Sequence, residues 1–222
     1  MVRYCLEQLP DLEDDYEVIV VDGGSRDETV AIARQIESTG RNRVRVLENI
    51  KEGRAFQMNA GAQIANGDIL LFLHVDCKLD RKALRVITEC MRDEDIIGGG
   101  FYKKYSTENI PLRLYRAAMN VIRTKWLRNL VGTNAIFVRK KIFFKIGKYP
   151  EVPLLEDVMF SDKMKKAGSL KFLKPYVITS SRRYYKSGIL KRIWIAYKIM
   201  YLYRIRHKAP VELKNIYQQM KK

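Results

Sequence analysis

Two apolar stretches, each followed closely by an aspartate, restrict the fold of this chain more than any other feature. Residues 17 to 21 read EVIVV and lead into Asp22, and residues 69 to 73 read ILLFL and lie just before Asp76. Continuous apolar runs of this length are typical of strands that are covered on both faces. Because helical patterns alternate with such strands along the chain, the sequence predicts an α/β fold with a doubly wound, mainly parallel sheet flanked by helices.

The boundaries of the other elements follow from the same periodicities. Ser25 and Glu28 have the spacing of a capping box, which predicts a helix that begins at Arg26 or Asp27. Three glycines at 98 to 100 are expected to break the alternation of strands and helices. The remaining predicted elements are strands at 43–47, 136–138 and 171–179, helices at 54–65, 81–91 and 156–166, and one long helix from 188 to about 208.

Length, charge and cysteines limit the class of protein. A chain of 222 residues is large enough for one well-packed domain, and its formal net charge of +17 favours phosphate-bearing partners. The three cysteines, Cys5, Cys77 and Cys90, have no metal-site spacing, so we expect reduced thiols in a cytoplasmic protein. No apolar run reaches the length that spans a bilayer.

Asp22 and Asp76 are the first candidates for a functional site. In open parallel sheets, ligands bind outside the carboxyl ends of the strands, so both carboxylates are expected at one rim. A divalent cation that bridges to nucleotide phosphates would explain Asp76. The alternative is that both aspartates are turn or cap residues, as aspartates after strands often are.

A third acidic element lies at the predicted start of a helix. Glu156 and Asp157 occupy its first turn, where the positive end of the helix dipole keeps a carboxylate ionised. An ionised carboxylate at the mouth of a site is able to take a proton from an alcohol as a general base. The alternative is that the two acids only compensate the helix dipole.

Four segments, taken together in this order and spacing, resemble one enzyme family: VVDGGSRDET at 20–29, GRAFQMNAGAQIANGDILLFLHVD at 53–76, GGGF at 98–101 and PEVPLLEDV at 150–158. They are similar to the inverting family 2 glycosyltransferases of GT-A fold, and most to a small bacterial subgroup whose metal motif reads His-x-Asp and whose base motif reads Glu-Asp. The similarity runs from about residue 2 to residue 190.

The resemblance implies a reaction and a role for each matching residue. A metal-dependent enzyme would move a sugar from a UDP- or GDP-sugar donor to an acceptor hydroxyl that the sequence does not name, with inversion at the anomeric carbon. Asp22 would hold the nucleotide base with Ser25 nearby, Asp76 would ligate Mg²⁺ or Mn²⁺, and Asp157, beside Glu156, would be the catalytic base. The other implied donor-site residues are Arg54, Asn59, His74 and, in a loop implied to fold over the diphosphate, Arg182 and Arg183.

The chain departs from the family pattern in two places. The subgroup usually has Gly-Asp-Gln where this chain has Gly132, Thr133 and Asn134, which puts contacts to donor or acceptor there in doubt. Family members also open with an apolar strand in the middle of the sheet, whereas VRYCLEQL at 2–9 is spaced as a helix. We therefore expect a sheet without the usual first strand, a gap between strands 17–21 and 69–73, and an N-terminally incomplete chain. A complete chain with that gap would have low stability and weak or absent nucleotide binding, because unpaired buried backbone is costly.

The C-terminal segment is basic and amphipathic. We divide the chain into a catalytic domain at 1–187 and a helical tail at 188–222, and the tail either lies at the inner face of a membrane or packs on the domain. Besides an enzyme, the sequence leaves two other classes of protein open. A catalytically impaired protein that binds nucleotide or glycan would follow from the departures, although three retained aspartates argue against it. A nucleic-acid binder rests on charge alone and lacks a recognition motif.

Overall fold

The computed structural model describes residues 2–7, 16–39, 44–48, 50–122 and 128–221 of the chain. Within these ranges, helices and strands alternate over the first half and helices dominate the last fifth. The strands are β1 Val18–Val21, β2 Val44–Leu47, β3 Ile69–Phe72, β4 Cys77–Lys78, β5 Ile96–Tyr105, β6 Ile136–Arg139 and β7 Ser169–Thr179. The helices are α1 Val2–Glu7, α2 Thr29–Ser38, α3 Arg54–Ile64, α4 Ala83–Cys90, α5 Ile110–Val121, α6 Lys140–Lys145, α7 Glu156–Ala167, α8 Arg182–Ser187, α9 Ile189–Arg204 and α10 Pro210–Lys221.

The strands form two sheets. One contains β1 and β2, and the other has the order β3-β6-β5-β7-β4. The pairs β1–β2 and β5–β7 are parallel, whereas β3–β6, β5–β6 and β4–β7 are antiparallel. The predicted α/β class is therefore confirmed, but the pairing is mixed rather than mainly parallel, since three of the five described strand pairs are antiparallel.

β1 and β3 nevertheless run in the same direction. The carboxylate of Glu17, just before β1, accepts hydrogen bonds from the backbone amides of Asn66 and Gly67, just before β3. The two strands thus begin side by side. Because their carboxyl ends then point to the same rim, Asp22 and the segment that contains Asp76 lie at that rim, as predicted.

A gap separates these two strands. Among the described residues, β1 pairs with β2 alone and β3 with β6 alone. A cavity of about 670 Å³ lies between them, lined by both strands and by Val2, Cys5 and Leu6 of α1. The expected interruption of the sheet is therefore present.

The glycines at 98 to 100 do not break the sheet, and this expectation is wrong. They lie inside β5, the strand between β6 and β7. A Cβ atom on Gly98 would lie 2.4 Å from the carbonyl oxygen of Phe137, and one on Gly99 would lie 2.0 Å from that of Lys171. The glycines therefore allow the neighbouring strands to approach β5 closely.

Two predictions about helices also need correction. The helix expected from 188 to about 208 is α9, which ends earlier than predicted, at Arg204. The chain turns at 205–209, and a separate helix, α10, begins at Pro210, a favourable first residue of a helix. Helix α5 was not predicted at all. Its start is marked by Asn109, whose side-chain oxygen accepts a hydrogen bond from the amide of Leu112 at 3.1 Å.

Aromatic side chains fill the core beside the rim. Phe72 at the end of β3 contacts Phe143 and Tyr149, and the ring centroids of Tyr149 and Phe160 are 4.1 Å apart. A separate apolar cluster joins α9 and α10 through Ile195, Ile199 and Leu213. None of the helices that the structure describes is both long enough and apolar enough to cross a membrane.

Candidate active site

Asp22 organises the turn that follows β1. Its carboxylate accepts hydrogen bonds from the amides of Gly24 and Ser25 at 2.8 and 2.9 Å, and from the hydroxyl of Ser25. Burial raises the pKa of Asp22, but these hydrogen bonds outweigh it, so the pKa lies below its usual value. Ser25 therefore bonds to Asp22 instead of forming the predicted capping box, and α2 begins only at Thr29. Gly24 adopts φ +94°, which a side chain would disfavour.

The turn after Asp22 packs on the start of α3. The side-chain amide of Gln57 donates to the carbonyl oxygen of Val21 at 3.2 Å. A Cβ atom on Gly23 would lie 2.8 Å from that Gln57 nitrogen, so the glycine leaves room for the contact. Sequence reasoning missed Gln57, which lies in the quoted GRAFQMNAG segment one helical turn after Arg54.

Arg54 and Glu156 link α3 to α7. Their side chains approach within 2.8 Å, and only 3% of the Glu156 side chain is exposed. Burial raises the pKa of Glu156, and the neighbouring charge of Asp157 raises it further against the opposing effect of Arg54. Leu155, which caps α7, has the left-handed values φ 66° and ψ 21°. Such strained backbone clusters at functional sites.

Asp157 is held on the other side of this turn. Its carboxylate accepts a hydrogen bond from the amide of Gly132 at 2.8 Å and one from the amide of Val158 at 2.8 Å. A Cβ atom on Gly132 would lie only 2.2 Å from Nε2 of His74, so the imidazole ring lies directly against this glycine. Gly132 therefore brings together His74 from the end of β3 and Asp157 from the start of α7.

The segment of Asp76 is tied to the strand end that precedes α8. The carbonyl oxygen of Asp76 accepts a hydrogen bond from the amide of Ser180 at 3.0 Å, and Cys77 pairs with Thr179. The Asp76 side chain is half-buried. Among the described residues there is no group of three or more His, Cys, Asp or Glu side chains that would enclose a metal ion. This donor set fits a cation that takes most of its ligands from phosphate and water, as Mg²⁺ commonly does.

Tyr149 is a polar residue of the site that the sequence did not reveal. Its ring is buried, and its hydroxyl has no hydrogen-bond partner among the described residues. Burial raises the pKa of Tyr149 well above its usual value, and the charges of Asp157 and Glu156 raise it further. The hydroxyl therefore stays protonated beside the two carboxylates.

Asn59 has a structural role. Its side-chain nitrogen donates to the carbonyl oxygen of Tyr149 at 3.0 Å, and its oxygen accepts from the amide of Tyr149 at 3.1 Å. Both amide atoms are engaged with one backbone segment, and Asn59 does not line the cavity between β1 and β3. We therefore leave Asn59 out of the donor site.

The two arginines implied to fold over the diphosphate lie in a helix rather than a loop. Arg182 begins α8, and its side chain is exposed. The side chain of Arg183 lies outside the described part of the structure. Because Ser180 binds the backbone of Asp76, the start of α8 lies near the proposed metal ligand.

The departure at 132–134 has a clear local structure. These residues form a short 3₁₀ helix, and the side chain of Asn134 accepts from the amide of Val131 and donates to the carbonyl oxygen of Phe101 at 2.8 Å. Asn134 thus fastens the segment to β5, which allows Gly132 to face His74 and Asp157.

Comparison with known proteins shows the family to which the chain belongs. The family model described as Glycosyl transferase family 2 matches residues 1–147, and the chain belongs to that family. One relative is the glycosyltransferase AglE of Haloferax volcanii, which is 31% identical over 139 residues, covering 61% of this chain and 46% of AglE. The chain spans about half the length of the curated relatives that it matches over those 139 residues.

Solved glycosyltransferase structures share the fold. The mannosyltransferase PcManGT from Pyrobaculum calidifontis, in complex with GDP-Man and Mn²⁺, superposes with a TM-score of 0.66 at 18% identity over 98% of this chain and 64% of that one. The TarS fragment 1–349 of S. aureus, in complex with UDP-GlcNAc, gives 0.60 at 18% identity over 80% and 53% of the two chains. The predicted family and the GT-A fold are therefore confirmed.

Proposed function

We propose that this chain is a metal-dependent, inverting glycosyltransferase that uses a UDP- or GDP-sugar donor. The observation that carries the proposal is the convergence of His74, Gly132 and Asp157 at the rim where Asp22 also lies. The solved relatives with GDP-Man and UDP-GlcNAc support the class of donor. Residues 1–187 would form the catalytic domain and 188–222 a tail.

The donor would lie along the rim between the two sheets. Asp22, with its lowered pKa, is an ionised acceptor for donor groups of a nucleotide base, and the Ser25 hydroxyl beside it is exposed. Arg54 and Arg182 would supply positive charge for the diphosphate, since guanidinium groups suit phosphate oxygens. His74, just after the end of β3, would contact the donor from across the rim. Arg183 remains a further candidate for binding the diphosphate.

Asp76 would hold Mg²⁺ or Mn²⁺ through its carboxylate. A cation bound there would neutralise the charge that develops on the departing diphosphate. The half-buried position of Asp76 and its backbone link to Ser180 support this assignment. The Mn²⁺ in the PcManGT complex supports the type of ion.

Asp157 would act as the general base. It removes the proton of the acceptor hydroxyl, the acceptor oxygen forms a bond to the anomeric carbon from the face opposite the diphosphate, and the bond between that carbon and the phosphate oxygen breaks. The electron pair of the broken bond stays on the diphosphate, and the proton stays on Asp157. The hydrogen bond from Gly132 and the position in the first turn of α7 fix the carboxylate of Asp157 at the rim.

Glu156 would be a positioning residue. Its carboxylate is buried against Arg54 and cannot reach an acceptor in the solvent-exposed rim. The contact would fix the first turn of α7 relative to α3, and so the direction of the Asp157 side chain.

The reaction would take place in the cytoplasm. The described cysteines are all free thiols, which agrees with the cytoplasm, at or near the inner face of a membrane. The acceptor would be a compound that carries a free hydroxyl group.

A glycosyltransferase-like binding protein without turnover is the second candidate. The observation that favours it is the gap between β1 and β3, whose cavity reaches Arg54 and His74 of the proposed donor site. A cavity in that position would leave the donor residues less firmly supported than a continuous sheet would.

Calorimetric titration of UDP and GDP tests the proposal. We expect one of them to bind in the presence of Mn²⁺, with affinity lost in EDTA and in Asp76→Ala. Asp80→Ala is the matched control, because Asp80 lies four residues further along, is exposed, and bonds only locally to the amide of Lys82. Equal affinity with and without Mn²⁺ would refute the metal assignment. Metal-dependent binding without donor hydrolysis or transfer would favour the binding protein.

A further inference from the structure

Helix α9 has apolar side chains on two opposite faces. Ile195 and Ile199 are buried against α10 and contribute to the cluster that contains Leu213. On the other face, Leu190, Trp194, Tyr197 and Tyr201 are 78, 56, 52 and 54% exposed. A helix with apolar side chains on two faces is stabilised by a cover on both of them, and here one face is exposed to solvent.

The exposed residues form one continuous strip, which we call the α9 stripe: Leu190, Trp194, Tyr197 and Tyr201. Their spacings of four, three and four residues place them on a single helical face. Lys191 and Lys198 flank that face, and Nζ of Lys198 lies 4.8 Å from the centre of the Trp194 ring. The stripe is therefore a row of aromatic and aliphatic groups edged by ammonium groups.

The surrounding sequence is uniformly basic. Residues 182–208 contain nine Lys and Arg residues and no Asp or Glu. Tryptophan and tyrosine are the residues that proteins place at the boundary between membrane and water, and lysine stems reach from apolar surface to charged head groups. An exposed helix face of this composition binds anionic lipid by burying its apolar groups and pairing its cations with the head groups.

We propose that the α9 stripe docks on an anionic lipid bilayer, with α9 parallel to the surface. A second copy of the chain is a poorer occupant, because it would bring two segments of the same positive charge together. The lipid surface covers the apolar groups and supplies the opposite charge at once.

Docking there would bring the bilayer close to the helix that carries the proposed base. The buried face of α9 packs in the cluster that includes Leu154 and Leu155, directly before Glu156. Arg204 near the end of α9 also binds Asp162 of α7, with a nitrogen–oxygen distance of 2.7 Å. If the proposed function holds, the acceptor hydroxyl is therefore presented at the membrane surface. Lipid binding itself does not depend on that function.

Vesicle binding by the full chain tests the proposal. The probes are vesicles of phosphatidylcholine alone and of phosphatidylcholine with phosphatidylglycerol, measured by co-sedimentation. We expect binding to the anionic vesicles only, weakened about tenfold or more by Lys191→Glu/Lys198→Glu and by Tyr197→Ser/Tyr201→Ser. The matched control, Lys141→Glu/Lys145→Glu, makes the same change of charge on exposed positions of α6 and should bind as the parent does.

Fluorescence gives a second reading at the stripe itself. The chain has two tryptophans, so Trp126→Phe leaves Trp194 as the only reporter, and its emission should shift to shorter wavelength on anionic vesicles. Equal binding of both lysine double variants would overturn the proposal, as would binding to neither kind of vesicle. A blue shift that depends on protein concentration without vesicles, together with a dimer in light scattering, would instead assign the stripe to a second copy. Asp157→Asn should bind vesicles like the parent, which separates lipid docking from catalysis.

Discussion

Gly132 donates its amide to Asp157 while its α-carbon lies against the imidazole ring of His74. The lack of a side chain at Gly132 is what permits both contacts. A Cβ atom on Gly132 would lie 2.2 Å from Nε2 of His74, far below van der Waals contact. The geometry of the proposed base thus depends on a residue without functional groups.

Gly132→Ala should therefore damage both stability and the site. The imidazole ring must move or the backbone must shift, and overpacking of this kind costs about 1–3 kcal/mol of the unfolding free energy. A shift of the backbone amide would also weaken its hydrogen bond to Asp157 and reduce transfer. Chemical denaturation of the variant measures the first effect, and an assay of donor hydrolysis or sugar transfer measures the second.

Gly67→Ala is the control for that change. The nearest atom to a Cβ at Gly67 is the carbonyl oxygen of Ile69 at 3.6 Å, an ordinary contact. This variant should stay within about 0.5 kcal/mol of the parent. If Gly132→Ala were as harmless, the close approach of His74 to Gly132 would not exist in solution.

Glu156 should make stability depend on pH. Its pKa is raised in the folded protein, first by burial and then by the charge of Asp157, above the ordinary value of 4.5. Between these two pKa values the folded state holds a proton that the unfolded state has released. The contribution of Glu156 to stability is therefore full below pH 4.5 and declines as pH rises through the folded pKa.

Urea denaturation of the parent and of Glu156→Gln across pH 4 to 8 measures this contribution as the difference between the two unfolding free energies. The stability of the parent relative to the variant should fall with rising pH. A parent that gains on the variant as pH rises would mean that Arg54 lowers the pKa of Glu156 overall.

At the scale of elements, the sequence predicted those parts in which local pattern and tertiary environment agree. β1, α3, β3 and α7 begin and end within one or two residues of expectation, because caps and periodicity mark them. β5 was missed because its glycines are required by the close approach of β6 and β7. Contacts between strands that are distant in sequence leave no local sequence pattern. Of the proposed site, Asp22 was recognisable as an acid after a strand and Asp157 as an acid in the first turn of a helix. Tyr149 and Gln57 were not recognisable, because their roles depend on contacts with residues that are distant in sequence.

The gap between β1 and β3 predicts an alternating pattern of hydrogen exchange. The amide of Asp22 bonds to Leu47, so alternate residues of β1 face β2, and Ile19 and Val21 face the gap. In β3, Lys140 bonds to Asp68, which turns Ile69 and Leu71 toward the gap. Amides on the gap side should exchange about tenfold faster than their neighbours, the equivalent of one hydrogen bond.

Nuclear magnetic resonance of the isotopically labelled chain resolves these amides one by one. Val20 and Leu70, which face β2 and β6, serve as internal controls in the same strands. Uniform protection along β1 and β3 would show that the two strands are covered or paired in solution. The low stability expected of an interrupted sheet stays a prediction. The slowest-exchanging amides in the same experiment report the free energy of global unfolding and so test it.

At the scale of the whole molecule, the uneven charge is the dominant property. Residues 163–211 carry fourteen Lys and Arg residues and no acid, within a chain of net charge +17. The described ion pairs of these cations are few. Asp162 binds Lys165 and Arg204, and Glu212 binds Lys208. Repulsion among these cations opposes folding, and the same positive charge attracts anionic partners.

Salt should therefore stabilise the chain. Raising NaCl from about 0.05 to about 0.5 M shortens the Debye length to a few ångströms and screens repulsion between exposed cations. If the gain is about 1 kcal/mol, Tm rises by roughly 2–4 °C for a chain of this size. Differential scanning calorimetry at the two salt concentrations measures the shift, and Lys141→Glu/Lys145→Glu, whose net charge is lower by four, should show a smaller one. A fall in Tm with salt would mean that attractive pairs such as Arg34 with Glu48, 2.6 Å apart, outweigh the repulsion. The charge would then serve only to recruit anionic partners, at no cost to the fold.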